Sequence, residues 1–79
     1  MATVTVRYFA AARAAAGEPV EQAEAASVAE LVAALGKGRP DLARVLGISS
    51  FLLDGDRVEG DAALADGSVV DILPPFAGG

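Results

Sequence analysis

The chain has 79 residues and a formal net charge of −5, and it contains no cysteine, histidine or tryptophan. Without cysteine it cannot form a disulfide, a thiolate metal site or a side-chain persulfide, and without histidine it lacks the commonest general base. The acidic balance disfavours nucleic acid and anionic membranes, and it suits either a protein partner with a basic surface or simple solubility. A single small domain that carries or binds is therefore a better interpretation than an enzyme.

Residues 3–8 alternate with a period of two and are rich in β-branched side chains, which predicts a first strand. Val4, Val6 and Tyr8 fall on one face of this strand, and we assign that face to the core. Phe9 then falls on the opposite, otherwise polar face. The sequence thus predicts an outward-facing aromatic residue at the end of the first strand.

The alanine-rich residues 10–16 favour a short helix or turn, because alanine has the highest helix propensity. Gly17 suits the position that follows a helix end. A second strand is expected around residues 19–23.

The main helix begins after Ser27, which forms a capping-box pattern with Glu30. Apolar residues repeat from Val28 to Leu35 at the spacing of one helix face, and Gly36 closes the segment. A second short helix is predicted from residue 40 to Gly47, and it buries three apolar side chains, Leu42, Val45 and Leu46.

The C-terminal part of the sequence again predicts β-strands. Residues 50–53 lead into Asp54-Gly55, a strong hairpin signal, and the chain returns through residues 57–58. Residues 61–65 suggest a helical turn that places Leu64 in the core, and residues 68–73 form the last strand. This element order predicts an α+β protein, a single β-grasp domain in which one main helix packs across a mixed sheet.

Two possible ligand motifs are better explained as loops. Gly36-Lys37-Gly38 follows a helix and lacks the spacing of a phosphate-binding loop. The acidic residues between 54 and 61 resemble a calcium loop, but Val58 stands where an oxygen ligand is needed. No metal site is predicted.

The sequence ends on Gly78-Gly79, directly after the apolar, proline-stiffened residues 72–77. A glycine pair presents an α-carboxylate on a thin, flexible stalk without a Cβ. This carboxylate is ionised at neutral pH, since its ordinary pKa is about 3.3–3.7. We therefore divide the chain into a domain of residues 1–73 and an extended tail of residues 74–79, with Gly79 as the reactive residue.

The closing motif resembles the C-terminal signature of the ubiquitin-like sulfur carriers and is most similar to the small subunits of molybdopterin synthases. The motif comprises Leu64, Asp66-Gly67, Val70, Ile72 and the run from Pro74 to Gly79. The N-terminal half is also similar, through Arg7, Phe9-Ala10, Arg13 and Gly17. The resemblance spans nearly the whole chain, and the Pro-Pro-x-x-Gly-Gly ending is its most specific part. Asp54 departs from the more usual asparagine, although both residues suit the turn.

The resemblance implies a ubiquitin-like β-grasp fold and a role in molybdenum cofactor biosynthesis. In the family, an activating enzyme uses ATP to adenylate the terminal carboxylate, which is then converted to a thiocarboxylate. The large catalytic subunit transfers the sulfur to a cyclic pterin precursor. By resemblance, Gly79 carries the sulfur, Gly78 belongs to the reactive tail, and this chain binds no cofactor of its own. The expected partners are the large subunit, in a heterotetramer, and the activating enzyme, with neither nucleic acid nor membrane involved.

A partner-binding surface is expected around the tail. Phe9 and Leu73 share the outward face if the first and last strands lie side by side and parallel, as they do in a β-grasp domain. Arg7 and Arg57 could rim this patch, although solvated charges are the simpler expectation. The predicted partner-binding residues are Phe9, Leu73, Pro74, Pro75, Phe76 and Ala77.

Three other functions remain open at this point. The chain could carry sulfur for another pathway, such as thiamine thiazole or cysteine synthesis, or it could be a ubiquitin-like protein modifier. It could also be an interaction module with an inert tail. No apolar segment reaches the roughly 18 residues that read as a membrane span, and no basic n-region marks a signal peptide, so we expect a cytoplasmic protein.

Overall fold

The structure, a computed structural model, describes residues 1–75. Five strands and three helices follow one another along this part of the chain. They are β1 (Ala2–Tyr8), α1 (Ala10–Ala16), β2 (Val20–Ala25), α2 (Val28–Gly36), α3 (Pro40–Leu46), β3 (Ser50–Leu53), β4 (Asp56–Val58) and β5 (Val69–Leu73).

The strands form one mixed sheet in the order β2-β1-β5-β3-β4. β1 and β5 run parallel in the middle of the sheet, whereas β1 with β2, β3 with β5 and β3 with β4 are antiparallel. The predicted α+β architecture, a ubiquitin-like β-grasp fold with its first and last strands side by side, is confirmed.

The core lies between one face of the sheet and the three helices. Val4, Val6 and Tyr8 of β1 are buried, as their alternation predicts, and Val70 and Ile72 of β5 lie beside them. The helices complete the same cluster with six side chains, those of Ala12, Leu31, Leu35, Leu42, Val45 and Leu46. The other face of the sheet, called the outward face below, carries no helix from residues 1–75.

The backbone N–H groups at the N-terminus of α2 are hydrogen-bonded to a side chain and to the carbonyls of a neighbouring loop. The Ser27 hydroxyl accepts a hydrogen bond from the Glu30 backbone N–H at 3.2 Å. The N–H groups of Val28 and Ala29, which have no partner within the helix, donate to the carbonyls of residues 62 and 60. The predicted start of α2 at the Ser27 cap is therefore confirmed. The loop after β4 supplies the carbonyls that accept from the other free N–H groups of the first turn.

The helical turn predicted for residues 61–65 does not form. The chain turns at residues 60–61 and then runs extended, with Ala63 bridging to Ser27. Because the carbonyls of residues 60 and 62 point at α2, they cannot accept bonds from a helix of their own. Leu64 nonetheless packs against the core, as predicted.

The β3–β4 hairpin turns at Asp54 and Gly55, which have φ values of 50° and 92°. This left-handed pair is the geometry of the predicted two-residue turn. The Asp54 carboxylate accepts from the Val69 N–H at 2.9 Å, and the Asp54 N–H donates to the Val69 carbonyl at 2.8 Å. The turn thus fixes the beginning of β5, the strand that leads to the tail.

Candidate docking face at the tail exit

β5 leads the chain out of the centre of the sheet. It lies between β1 and β3, and its last residue, Leu73, is opposite Ser50. The Phe9 N–H donates to the Ile72 carbonyl at 3.2 Å, so the end of β1 is held beside the end of β5. Pro74 is buried and Pro75 is exposed. The segment from Leu73 to Pro75, called the tail exit below, is therefore anchored up to Pro74.

Exposed apolar side chains gather at this end of the molecule. The large apolar residues left exposed within residues 1–75 are Met1, Phe9, Val20 and Ile48. Phe9 is 40% exposed and Val20 is 46% exposed, and both follow the alternation of the outward face. Ile48, which is 63% exposed, lies two residues before the partner of Leu73. Three of these four residues thus surround the tail exit.

One row of side chains crosses the outward face through all five strands. The strand registers place Val20 beside Arg7, Arg7 beside Asp71, Asp71 beside Leu52, and Leu52 beside Arg57. The row lies one step back from Phe9 and Leu73. It therefore places charged side chains directly beside the apolar surface around the tail exit.

Arg7 and Asp71 form a two-point ion pair in the middle of this row. Arg7 Nε lies 2.5 Å from Asp71 Oδ1, and Arg7 Nη2 lies 2.8 Å from Asp71 Oδ2. The Arg7 Cζ atom is also 5.9 Å from the centre of the Phe9 ring, which is a cation–π distance. Hydrogen bonding to Asp71, followed by its charge, raises the pKa of the Arg7 guanidinium. Arg7 is thus held in an ion pair beside the patch, although half of its side chain stays exposed to solvent.

The predicted docking residues fall into three groups. Phe9 is exposed and Leu73 is half-buried, and both lie on the outward face as expected. Pro75 is exposed, whereas Pro74 is buried in the domain. The remaining predictions, for Phe76, Ala77, Gly78 and Gly79, lie outside the described residues and stay predictions.

Sequence reasoning missed the contributions of Val20, Leu52 and the Arg7–Asp71 pair. A signal for the pair exists, because Asp71 interrupts the apolar run from Val69 to Leu73 and Arg7 is the charged residue of β1. Charged residues within buried strands require partners. Only the strand register shows that these two are each other's partner.

No grouping of three or more His, Cys, Asp or Glu side chains within residues 1–75 could hold a metal ion. None of the helices in that range is long and apolar enough to cross a bilayer. What the described site offers is thus a rigid apolar surface with a fixed guanidinium, beside the strand that leads to the C-terminus.

Several solved structures resemble the chain over at least 96% of its length. The solution structure of small archaeal modifier protein 1 from Methanosarcina acetivorans is 30% identical, with a TM-score of 0.87, and the match covers 100% of this chain and 98% of that one. A putative molybdopterin converting factor, subunit 1, from Pyrococcus furiosus is 28% identical, with a TM-score of 0.85, over 96% of this chain and 100% of that one.

A third match comes from a complex of subunits 1 and 2 of the molybdopterin-converting factor from Helicobacter pylori. It is 28% identical, with a TM-score of 0.73, and covers 98% of this chain and 99% of that one. Comparison with curated protein sequences returns no significant match. The model of the ThiS family matches residues 6–79. Because this match spans nearly the entire sequence and agrees with the fold, the chain belongs to the ThiS family of ubiquitin-like sulfur carriers.

Proposed function

We propose that the chain is the sulfur-carrying small subunit of a molybdopterin synthase and that Gly79 is its reactive residue. The Gly79 carboxylate attacks the α-phosphorus of ATP in an activating enzyme, which forms an acyl adenylate and releases pyrophosphate. A sulfur donor at the oxidation level of sulfide then attacks the acyl carbon and expels AMP. The thiocarboxylate that results donates its sulfur to a cyclic pterin precursor in the large subunit, in the cytoplasm.

The observation that carries this proposal is the position of the tail exit. β5 is a central strand with neighbours on both sides, so the tail begins from a rigid base rather than from a frayed edge. Buried Pro74 fixes the direction of departure, and Phe9 and Val20 expose apolar surface next to it. A partner that binds this surface receives the tail at a defined point.

The choice of pathway rests on relatives of similar length. The Pyrococcus and Helicobacter proteins are described as subunit 1 of a molybdopterin-converting factor, and the Helicobacter protein is in complex with subunit 2. We therefore propose a large catalytic subunit as the sulfur-accepting partner, in a heterotetramer. ATP and the catalytic groups belong to the partners.

The tail residues have distinct roles in this proposal. Gly78 and Gly79 thread a channel too narrow for side chains, since glycine lacks a Cβ. Phe76 anchors the tail in the partner, with Ala77 as a small spacer. Pro75 stiffens the segment before them, which reduces the conformational entropy lost when the tail inserts.

Intact-mass analysis tests the chemistry. The purified chain is incubated with ATP, the activating enzyme from the same organism and a sulfide source. We expect a mass gain of one oxygen-to-sulfur exchange, located on the C-terminal peptide. An unchanged mass in the presence of an activating enzyme that is active on ATP would refute the carrier role.

A protein modifier is the second candidate, and the likeness to the Methanosarcina modifier protein favours it. In that case Gly79 would form an isopeptide bond to a lysine of another protein. Peptide mass spectrometry distinguishes the two functions. Lysines of other proteins joined to Gly79 through an isopeptide bond would support the modifier, and a thiocarboxylate consumed by the large subunit would support the synthase.

A further inference from the structure

The Arg7–Asp71 pair has an unusual location for a fixed ion pair. It lies on the sheet face that carries no helix, yet the whole of Asp71 is only 8% exposed. The Arg7 side chain remains 51% exposed. The carboxylate is thus covered, while the guanidinium above it is accessible to another molecule.

The Arg7 guanidinium is held in a fixed orientation, but only some of its N–H donors are hydrogen-bonded. It has five N–H donors, of which Asp71 takes one from Nε and one from Nη2. Neither hydrogen of Nη1 has an acceptor within residues 1–75. The two-point contact and the nearby Phe9 ring fix the plane of the group. Because this guanidinium is already held in place, it loses little further conformational entropy on binding. Arg7 can therefore donate to a second acceptor at low entropic cost.

The charges of the surroundings select the kind of acceptor. Asp71 neutralises Arg7, but Arg57 lies in the same row, three strands away and thus at roughly 14 Å by strand spacing. Within this row, two guanidinium groups therefore stand against one carboxylate, although the whole chain is acidic. A carboxylate complements the face better than a cation does.

We propose that Arg7 is a specificity-determining residue of the docking face and that it binds a carboxylate on the large subunit of the synthase. The carboxylate is set within an apolar surface that covers Phe9, Val20 and Leu73. Asp71 is a positioning residue, because it acts by holding the guanidinium. This inference rests on the proposed function for the identity of the partner.

The structure offers a matched control. Because Arg7 and Asp71 are register partners on parallel strands, the exchange Arg7→Asp with Asp71→Arg keeps an ion pair in the sheet. The exchange moves the guanidinium to β5 and leaves a carboxylate on the strand that bears Phe9. A purely structural pair tolerates this exchange, whereas a recognition residue does not.

The test measures the dissociation constant of the large subunit from the same organism by titration calorimetry. We expect Arg7→Ala and the exchanged pair each to weaken binding about tenfold or more, because they leave the partner's carboxylate unpaired. Arg7→Lys, which keeps the charge but not the planar donor set, should fall between these variants and the native chain. Thermal unfolding of each variant establishes that it is folded at the temperature of the titration.

A second measurement identifies the acceptor. Each exposed Asp and Glu on the partner is replaced by Ala and combined with Arg7→Ala. One of these carboxylates should show a non-additive effect, because a double-mutant cycle isolates a direct pair. Additive effects at every position would overturn the inference.

The outcomes separate the inference from the proposed function. If the native chain and the exchanged pair bind equally well, the ion pair is structural and the inference fails, while the carrier function stands. If the native chain does not bind the large subunit at all, the assignment to a synthase fails and the inference fails with it.

Discussion

Tyr8 buries its hydroxyl group in a polar network that joins two strands to the connection between α2 and α3. Tyr8 is 2% exposed, and its hydroxyl donates to Glu21 Oε1 at 2.7 Å. Arg39 Nη2 donates to the same carboxylate at 3.1 Å, and Arg39 Nε donates to the Leu35 carbonyl at 2.9 Å. Burial first, and then the hydrogen bond to Glu21, raise the pKa of Tyr8 above its ordinary value. The network satisfies a hydroxyl that would otherwise be costly to bury.

This raised pKa predicts a loss of stability at high pH. The unfolded chain releases the tyrosine proton near pH 10, whereas the folded chain retains it. The unfolded state then binds fewer protons, so the free energy of unfolding falls as the pH rises above about 10, by up to about 1.4 kcal/mol per pH unit from this group. Denaturant unfolding of the native chain and of Tyr8→Phe over this range measures the difference.

The native chain should lose stability more steeply than Tyr8→Phe, which has no proton to release. Tyr8 is the only tyrosine and tryptophan is absent, so ultraviolet absorbance follows its ionisation directly. Parallel pH profiles for the two proteins would contradict the prediction. At neutral pH the substitution should cost about 1 kcal/mol, because one buried hydrogen bond is lost.

At the scale of elements, α2 and α3 approach each other through Gly36. A Cβ built at Gly36 would lie 2.9 Å from the Ala43 Cβ and 3.2 Å from the Ala43 Cα. Glycine is therefore required at the end of α2 by packing. The sequence shows a glycine at a helix end, but the contact with Ala43 depends on how the two helices cross.

We expect Gly36→Ala to destabilise the domain by about 1–3 kcal/mol, despite the better helix propensity of alanine. The reason is that the new methyl group would overlap the backbone of α3, which cannot rotate away. Adding Ala43→Gly should restore part of the loss, since it removes the nearest atom. Chemical denaturation of the native chain and of both variants checks this, and equal or greater stability of Gly36→Ala would show that the helices can separate freely.

Most of the strands and helices are predictable from the sequence, because the residue patterns that mark them lie within the elements themselves. Alternation identified β1, the Ser27–Glu30 spacing identified the start of α2, and Asp54-Gly55 identified the hairpin. Residues 61–65 were assigned to the wrong structure because their carbonyls serve another element, the N-terminus of α2. No local pattern carries that information.

The site was predictable in part, and the limit is again the range of the contact. The outward position of Phe9 follows from counting along one strand. The Arg7–Asp71 pair joins residues 64 positions apart, and its two-point geometry requires the parallel register of β1 and β5. A register shift of one residue would place Asp71 on the opposite face of the sheet.

Over the whole molecule, acidic residues lie at both ends of the central strands. Glu24 lies opposite Thr3, Asp66 accepts from the Thr3 N–H, and Asp54 binds the beginning of β5, so all three belong to the far end of the central strands. At the other end, Asp71 pairs with Arg7 and exposed Glu59 directly follows β4, so the docking face combines acidic and basic groups.

The proposed division between a folded domain and a reactive tail leads to the last prediction, which concerns deletion of Gly79. The buried cluster and the complete sheet lie within residues 1–75, so the deletion should leave the thermal midpoint nearly unchanged. It should abolish sulfur transfer, because it moves the terminal carboxylate back by one residue. Gly78→Ala is the matched control, since it retains the length and the carboxylate and tests only the width of the channel. Calorimetry and the intact-mass assay check both variants. A midpoint lowered by about 4–8 °C, which corresponds to roughly 1 kcal/mol in a domain of this size, would show that Gly79 supports the fold.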